Sequence, residues 1–97
     1  MTTVVNIRDT KEFDVYIGRA CRGHRKSPWA NQFRIGRDGD RVEVIAKYLR
    51  FLLCHGPDAR IKERIDRELR GKVLGCWCKP LPCHGDILAA IADSEET

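Results

Sequence analysis

Apolar residues divide the chain into short segments rich in β-branched and aromatic side chains and longer segments with helical spacing. Val4-Val5-Asn6-Ile7 and Phe13-Asp14-Val15-Tyr16-Ile17 have the composition that is typical of strands. A third apolar run, Lys72-Val73-Leu74-Gly75-Cys76-Trp77-Cys78, resembles a buried strand. The pattern therefore predicts strands over 4–7, 13–17 and 72–78.

Three other segments repeat apolar residues every three or four positions, which predicts helices. The first covers about 41–54, and either Asp38 or Asp40 can cap it. The second begins at Pro57 and ends at Gly71, and the third begins at Cys83 or His84. The residues expected to face the core are Val42, Ile45, Leu49, Leu52 and Leu53, then Ile61, Ile65 and Leu69, and finally Ile87, Leu88 and Ile91.

The order β-β-α-α-β-α indicates a small single α/β domain over residues 1–97. We expect a short mixed or mostly parallel sheet packed by three helices, because a helical crossover makes the last strand parallel to an earlier one. No apolar run reaches the roughly 18 residues that span a bilayer, and the N-terminus lacks the pattern of a signal peptide. These features predict a cytoplasmic protein without membrane contact, and they leave a homodimer open.

Much of the basic excess of a chain whose net charge is +4 falls between Arg19 and Arg41, mostly in a long loop over 18–40, and such a cluster suits phosphate or another anion. In it, Arg19 is a candidate for holding phosphate, Trp29 for stacking on a base, and Asn31 for reading the edge of that base. Two plainer interpretations compete with this one. The arginines can form a solvated surface, and Trp29 can simply anchor the loop to the core.

The segment 75–86 concentrates three of the five cysteines with a histidine and an aspartate. Cys78 ends the third predicted strand, while Cys83 and His84 fall at a helix N-terminus, where unpaired N–H groups favour an anion or a thiolate. One interpretation makes Cys83, His84 and Asp86 a catalytic set, with Cys78 contributing to ligand binding. Asp86 is also explained by the helix dipole alone.

Metal binding is the second interpretation of this segment, and simple packing of small buried thiols is the third. Cys76, Cys78, Cys83 and His84 have the right types for a structural zinc site. Their C-x-C-x4-C-H spacing is tighter than that of the usual zinc knuckles, so we predict no metal and keep zinc as an alternative.

With these motifs in view, the chain resembles a family of small phage and bacterial proteins known only as a domain of unknown function. The resemblance extends over nearly the whole length and rests on four blocks. Gln32 departs from the family pattern, because proline is usual at that position. The four blocks are Val4–Ile7, Val15–Arg19, Trp29–Phe33 and Gly75–Asp86.

The resemblance implies a compact, Rossmann-like α/β fold and a link to nucleotide or nucleic-acid metabolism. It also implies one site shared by the loop over 18–40 (the arginine loop) and the segment 75–86 (the cysteine turn). We therefore expect a domain that binds a nucleotide or another phosphate-bearing ligand, in the host cytoplasm if a phage encodes it. An enzyme acting on a nucleotide or modified base is one form of this hypothesis. The alternative is a non-enzymatic factor that is stabilised by zinc or binds a host protein. Plain nucleic-acid binding is less favoured at a charge of +4.

Overall fold

A computed structural model of the protein describes residues 1–21, 23–55 and 61–94, except for the side chains of 53–55. Within these ranges, three strands and three helices follow the predicted order. They are β1 (Thr3–Asn6), β2 (Val15–Tyr16), α1 (Arg41–His55), α2 (Ile61–Glu68), β3 (Val73–Cys76) and α3 (His84–Asp93). The predicted start of the second helix at Pro57 lies outside the described residues.

The sheet is parallel throughout, with β3 in the centre and β1 and β2 at its edges. This arrangement confirms the predicted parallel pairing of the last strand with earlier ones. Residues beside the short β2 also bond to β3, since the Asp14 N–H donates to Val73 O over 2.8 Å and the Ile17 N–H donates to Gly75 O over 3.0 Å. The carboxyl ends of all three strands therefore meet at one edge of the sheet.

The connection from β1 to β2 contains no helix and passes across one face of β3 at Gly75. A Cβ atom added to Gly75 would lie 2.8 Å from both Ile7 Cγ2 and Phe13 Cδ2. Glycine thus lets the two apolar side chains at the ends of the connection rest directly on the backbone of the central strand.

The apolar stripe of α1 differs from the predicted one. Val44, Tyr48 and Leu52 are buried at four-residue spacing, whereas Val42 is 73% exposed. Val42 lies in the first turn, on a different side of the helix from the Val44 stripe. The other two helices bury Ile61, Ile65 and, just beyond α2, Leu69, together with Leu88 of α3. No helix among the described residues is long and apolar enough to cross a membrane.

The helix α1 begins with a reciprocal cap built by Asp40 and Glu43. The Glu43 N–H donates to Asp40 Oδ1 over 2.8 Å, and the Asp40 N–H donates to Glu43 Oε1 over 3.0 Å. Of the two predicted caps, Asp38 and Asp40, it is therefore Asp40 that caps α1. Asp38 instead closes the preceding turn by accepting the Arg34 N–H over 2.8 Å.

We expect Gly75→Ala to lower the free energy of unfolding by about 1–3 kcal/mol, because the new methyl group overpacks the space filled by Ile7 and Phe13. Urea denaturation of the variant and the parent protein measures the difference. In a double-mutant cycle, Ile7→Ala should cost less in the Gly75→Ala background than alone, because it removes one of the clashing methyl groups. Strict additivity of the two changes would contradict this packing.

Candidate functional site

A cavity of about 510 Å³ opens at the carboxyl edge of the sheet, between β2, β3 and the N-termini of α1 and α3. Ligands gather at this edge in parallel α/β sheets, because loops and helix N-termini converge there. The side chains that line it are Arg19, Cys21, Asn31, Phe33, Arg34, Ile35, Arg41, Val44, Ile45, Cys76, Trp77, Cys78, Pro82, Cys83 and His84, with Ala20 and Gly18 beside them.

The lining of the cavity is cationic. It contains Arg19, Arg34 and Arg41, and no described residue in the lining is an aspartate or glutamate. A recess lined by one sign of charge concentrates counter-ions of the opposite sign. The cavity is therefore suited to an anion.

Backbone carbonyl groups of the loop over 18–40 hold the side chain of Arg19 in place. Its Nε donates to Asn31 O over 3.1 Å, and its Nη2 donates to Phe33 O over 2.9 Å. Two of the five guanidinium N–H groups are thus used to close the loop. The structure places Arg19 in the cavity with its orientation fixed.

Arg41 lines the cavity, and the sequence analysis named it only as part of the basic cluster, with no role of its own. Its Nη1 donates to Pro82 O over 2.9 Å, which ties the start of α1 to the cysteine turn. It also lowers the pKa of the Cys78 thiol. Its place one residue after the Asp40 cap was the available signal, because a helix N-terminus adds its own positive potential.

The Asn31 amide is engaged within the protein. Its Nδ2 donates to Val44 O over 3.3 Å, and its Oδ1 accepts the Phe33 N–H over 2.9 Å. Asn31 therefore lines the cavity while its polar edge, which was predicted to read a base, links the loop to α1.

Trp29 lies outside the set of lining residues. Its ring is 4% exposed, the Arg64 guanidinium carbon sits 4.9 Å from the ring centroid, and the Tyr48 hydroxyl donates to Trp29 O over 2.6 Å. The structure thus places Trp29 as the anchor of the loop. Trp77 lines the cavity instead, with 40% of its surface exposed and its Nε1 donating to Tyr16 Oη over 2.9 Å.

Three thiols line the cavity, those of Cys76, Cys78 and Cys83. Cys76 Sγ and Cys83 Sγ are 3.5 Å apart, and both residues are buried. Cys78 is half-buried. Cys78 is therefore the thiol of this cluster that is most open to solvent.

The proton of Cys83 determines how readily the thiols of Cys76 and Cys78 ionise. Hydrogen bonding from Cys83, followed by Arg41 and Arg19, lowers the pKa of Cys78 to about 5. Hydrogen bonding from Cys83 likewise lowers the pKa of Cys76 to about 6, and donation to these two sulfurs raises the pKa of Cys83. Cys83 has one proton to donate at a time, so the two arginines favour the thiolate at Cys78. Cys83, predicted as the activated thiol, occupies the position of proton donor.

The ring of His84 contacts the backbone just after β2. Its Nε2 lies 2.7 Å from Ile17 O, and its ring makes an edge contact with Tyr48 at 5.0 Å between centroids. Because a carbonyl oxygen only accepts, Nε2 carries the proton. Burial lowers the pKa of His84, so the ring is neutral at physiological pH.

Asp86 caps α3 and lies outside the cavity lining. The Cys83 N–H donates to Asp86 Oδ2 over 3.1 Å, and the Lys79 ammonium forms an ion pair with Asp86 Oδ1. This pairing raises the pKa of Lys79. Both carboxylate oxygens therefore hold the turn that presents the thiols.

The four residues of the alternative zinc set are near one another, but the Nε2 of His84 is directed at Ile17 O. Among residues 1–21, 23–55 and 61–94, no group of three or more histidine, cysteine, aspartate or glutamate side chains is arranged to hold a metal ion. Zinc binding by Cys76, Cys78, Cys83 and His84 stays an untested alternative.

Comparison with known proteins identifies a relative from a phage. The chain is 37% identical over 83 residues to the "Uncharacterized 12.4 kDa protein in nrdA-td intergenic region" of Enterobacteria phage T4, an alignment that covers 84% of this chain and 69% of that protein. No solved structure matches the chain significantly. The family model described as "Domain of unknown function (DUF4326)" matches residues 5–94. The chain belongs to this family of domains of unknown function.

Proposed function

We propose that this domain binds a nucleotide or another phosphate-bearing ligand in the cavity at the carboxyl edge of the sheet. One observation carries the proposal: three arginines line the cavity, and no carboxylate does among its described residues. The volume of about 510 Å³ falls within the usual range for small-molecule sites.

Phosphate is assigned to the side of the cavity where Arg41 and Arg19 approach the helix N-termini. Each guanidinium keeps N–H groups beyond those that bond Pro82 O or the loop carbonyls. Guanidinium groups bind phosphate through paired, charge-assisted hydrogen bonds. The fixed orientation of Arg19 reduces the entropy that is lost when such a ligand binds.

The base or other apolar part of the ligand is assigned to the apolar wall formed by Phe33, Ile35 and Ile45. Ile35 is exposed, so part of this wall is apolar surface in contact with water. Covering it gains free energy in proportion to the apolar area removed from water. Trp77, rather than Trp29, is the indole available to the ligand.

A Rossmann-like mode of binding is part of this proposal. Ligands of parallel α/β sheets sit beyond the carboxyl ends of the strands, next to helix N-termini. The cavity has that position relative to β2, β3, α1 and α3. The similarity to a phage protein supports a phage or bacterial setting.

In its enzymatic form, the proposal uses Cys78 as the nucleophile toward the bound ligand. A thiolate is the reactive form of cysteine, and Arg41 and Arg19 stabilise it beside the anion site. Cys83 holds a proton next to it, as a general acid must. His84, as a neutral ring fixed on Ile17 O, orients the start of α3 rather than acting on Cys83.

We expect Arg41→Gln to weaken the binding of nucleoside monophosphates by about 10- to 100-fold, because it removes a hydrogen bond to a charged group worth roughly 1.5–3 kcal/mol. Isothermal titration calorimetry on reduced protein measures the change, with the matching nucleosides as ligands that lack phosphate. Arg50→Gln is the matched control, because Arg50 is an exposed residue of α1 away from the cavity lining. Equal affinity in Arg41→Gln, Arg50→Gln and the parent protein would remove the anion site.

We expect the Cys78 thiol to react with iodoacetamide at half its maximal rate near pH 5, since its pKa is lowered to about 5. The thiolate forms as the pH rises through the pKa, so the rate should reach a plateau above that pH and fall below it. Arg41→Gln should move the midpoint upward by about one pH unit, because a stabilising cation is lost. Stopped-flow alkylation with peptide mapping measures this, and Arg50→Gln should leave the profile unchanged. A midpoint near that of free cysteine, about 8.5, would contradict the assignment.

A further inference from the structure

We infer that Cys76, Cys78 and Cys83 form a thiol–disulfide exchange centre, in which Cys78 meets an external disulfide and Cys83 completes the exchange. The inference goes beyond ligand binding and does not depend on the identity of the phosphate ligand. It rests on the placement of three thiols in one cluster, of which one is open to the cavity and two are buried.

Cys76 and Cys83 are close enough for a disulfide to form with a small movement, because their Sγ atoms are 3.5 Å apart. A disulfide bond is about 2.05 Å long, so roughly 1.5 Å of side-chain movement closes the gap. Cys78 lines the same cavity, and Cys83 lowers the pKa of its thiol. Cys83 precedes α3 directly, where the unpaired N–H groups of the helix stabilise a sulfur that carries negative charge.

Access to the cluster runs through Cys78. Cys76 and Cys83 are 1% and 2% exposed, whereas Cys78 is half-buried beside Arg41. Simple packing does not explain why Arg41 lies beside the Cys78 thiol. Burial thus separates Cys78, which an external disulfide can reach, from Cys83, which it cannot. This difference suits an exchange centre in which Cys78 reacts first and Cys83 completes the exchange.

The exchange proceeds in two balanced steps. The Cys78 thiolate attacks one sulfur of an external disulfide, RSSR, so that a Cys78–SR bond forms, the S–S bond of RSSR breaks, and the first RS⁻ leaves and takes a proton from water. Cys83 then attacks Cys78 Sγ, and the second RS⁻ leaves with the proton of Cys83. Two protein thiols are oxidised, and one disulfide is reduced to two thiols.

The lining of the cavity selects the class of disulfide. Arg19, Arg34 and Arg41 surround the entrance to Cys78 without a described carboxylate. A disulfide that carries carboxylates next to its sulfur atoms is attracted by these charges, and a neutral one is not. The preferred substrate is therefore an anionic disulfide.

The test mixes reduced protein with glutathione disulfide, quenches with acid, alkylates the remaining thiols and maps the products by mass spectrometry. We expect the parent protein to lose two hydrogens and form a disulfide between Cys83 and another member of the cluster. Cys83→Ser should stop at a stable mixed disulfide on Cys78, and Cys78→Ser should react at least about 10-fold more slowly. Neutral hydroxyethyl disulfide should react more slowly than the anionic probe with the parent protein.

Arg50→Gln is the control, because Arg50 is exposed on α1 and lies outside the cavity lining. It should behave like the parent protein. Circular dichroism checks that each variant is folded, and the comparison of the two disulfide probes needs no variant. A parent protein that reacts no faster than its urea-unfolded form, or a Cys83→Ser variant without a mixed disulfide, would overturn the inference. Calorimetry with nucleotides on reduced protein reports on the phosphate site separately.

Discussion

The insertion of β3 between β1 and β2 is the constraint on which the rest of the molecule depends. Within the described part of the chain, each edge strand pairs only with β3, so the sheet exists because the last strand returns to its centre. Parallel pairing brings the end of β2 and the end of β3 to one edge, although about sixty residues separate them in sequence. Arg19 and Cys78 are neighbours for this reason. Gly75 makes the arrangement possible, because the connection from β1 crosses the central strand at the one position without a side chain.

Charged side chains hold the backbone of the turn from β3 to α3, and the thiols of this turn line the cavity. Asp86 accepts the N–H of Cys83 and pairs with Lys79, while Arg41 bonds Pro82 O from the start of α1. These contacts fix the backbone of the turn without using a sulfur atom. The thiols are therefore left to interact with one another and with the cavity, and a small domain with a modest core keeps them in place through polar contacts at the surface of the turn.

Sequence periodicity predicted the elements, their order and the parallel pairing, because each of these follows from local apolar spacing and from the length of the crossover. It failed where burial depends on partners that are distant in the chain. Trp29 resembles a stacking residue in sequence, but the α2 residue Arg64 covers its ring, while Trp77 at the end of β3 remains exposed. Asn31 lines the cavity, but Val44 O and the Phe33 N–H engage its amide, and its role in reading a base stays a prediction. Arg41 was named only as part of the basic cluster, because nothing in the sequence near it indicates that Pro82 and Cys78 lie alongside.

The anion site and the thiol cluster share the same arginines, and this links the two proposals. Arg41 and Arg19 stabilise negative charge on Cys78, and the same groups are assigned to phosphate. Two anions that draw on one pair of cations disfavour each other, and the effect is reciprocal because it is a coupling free energy. A phosphate bound beside Arg41 would therefore raise the pKa of the Cys78 thiol and slow its reaction with an external disulfide, and a thiolate at Cys78 would weaken phosphate binding by the same factor. Cys83 moderates this competition, since its proton neutralises part of the charge on Cys78 without occupying an arginine.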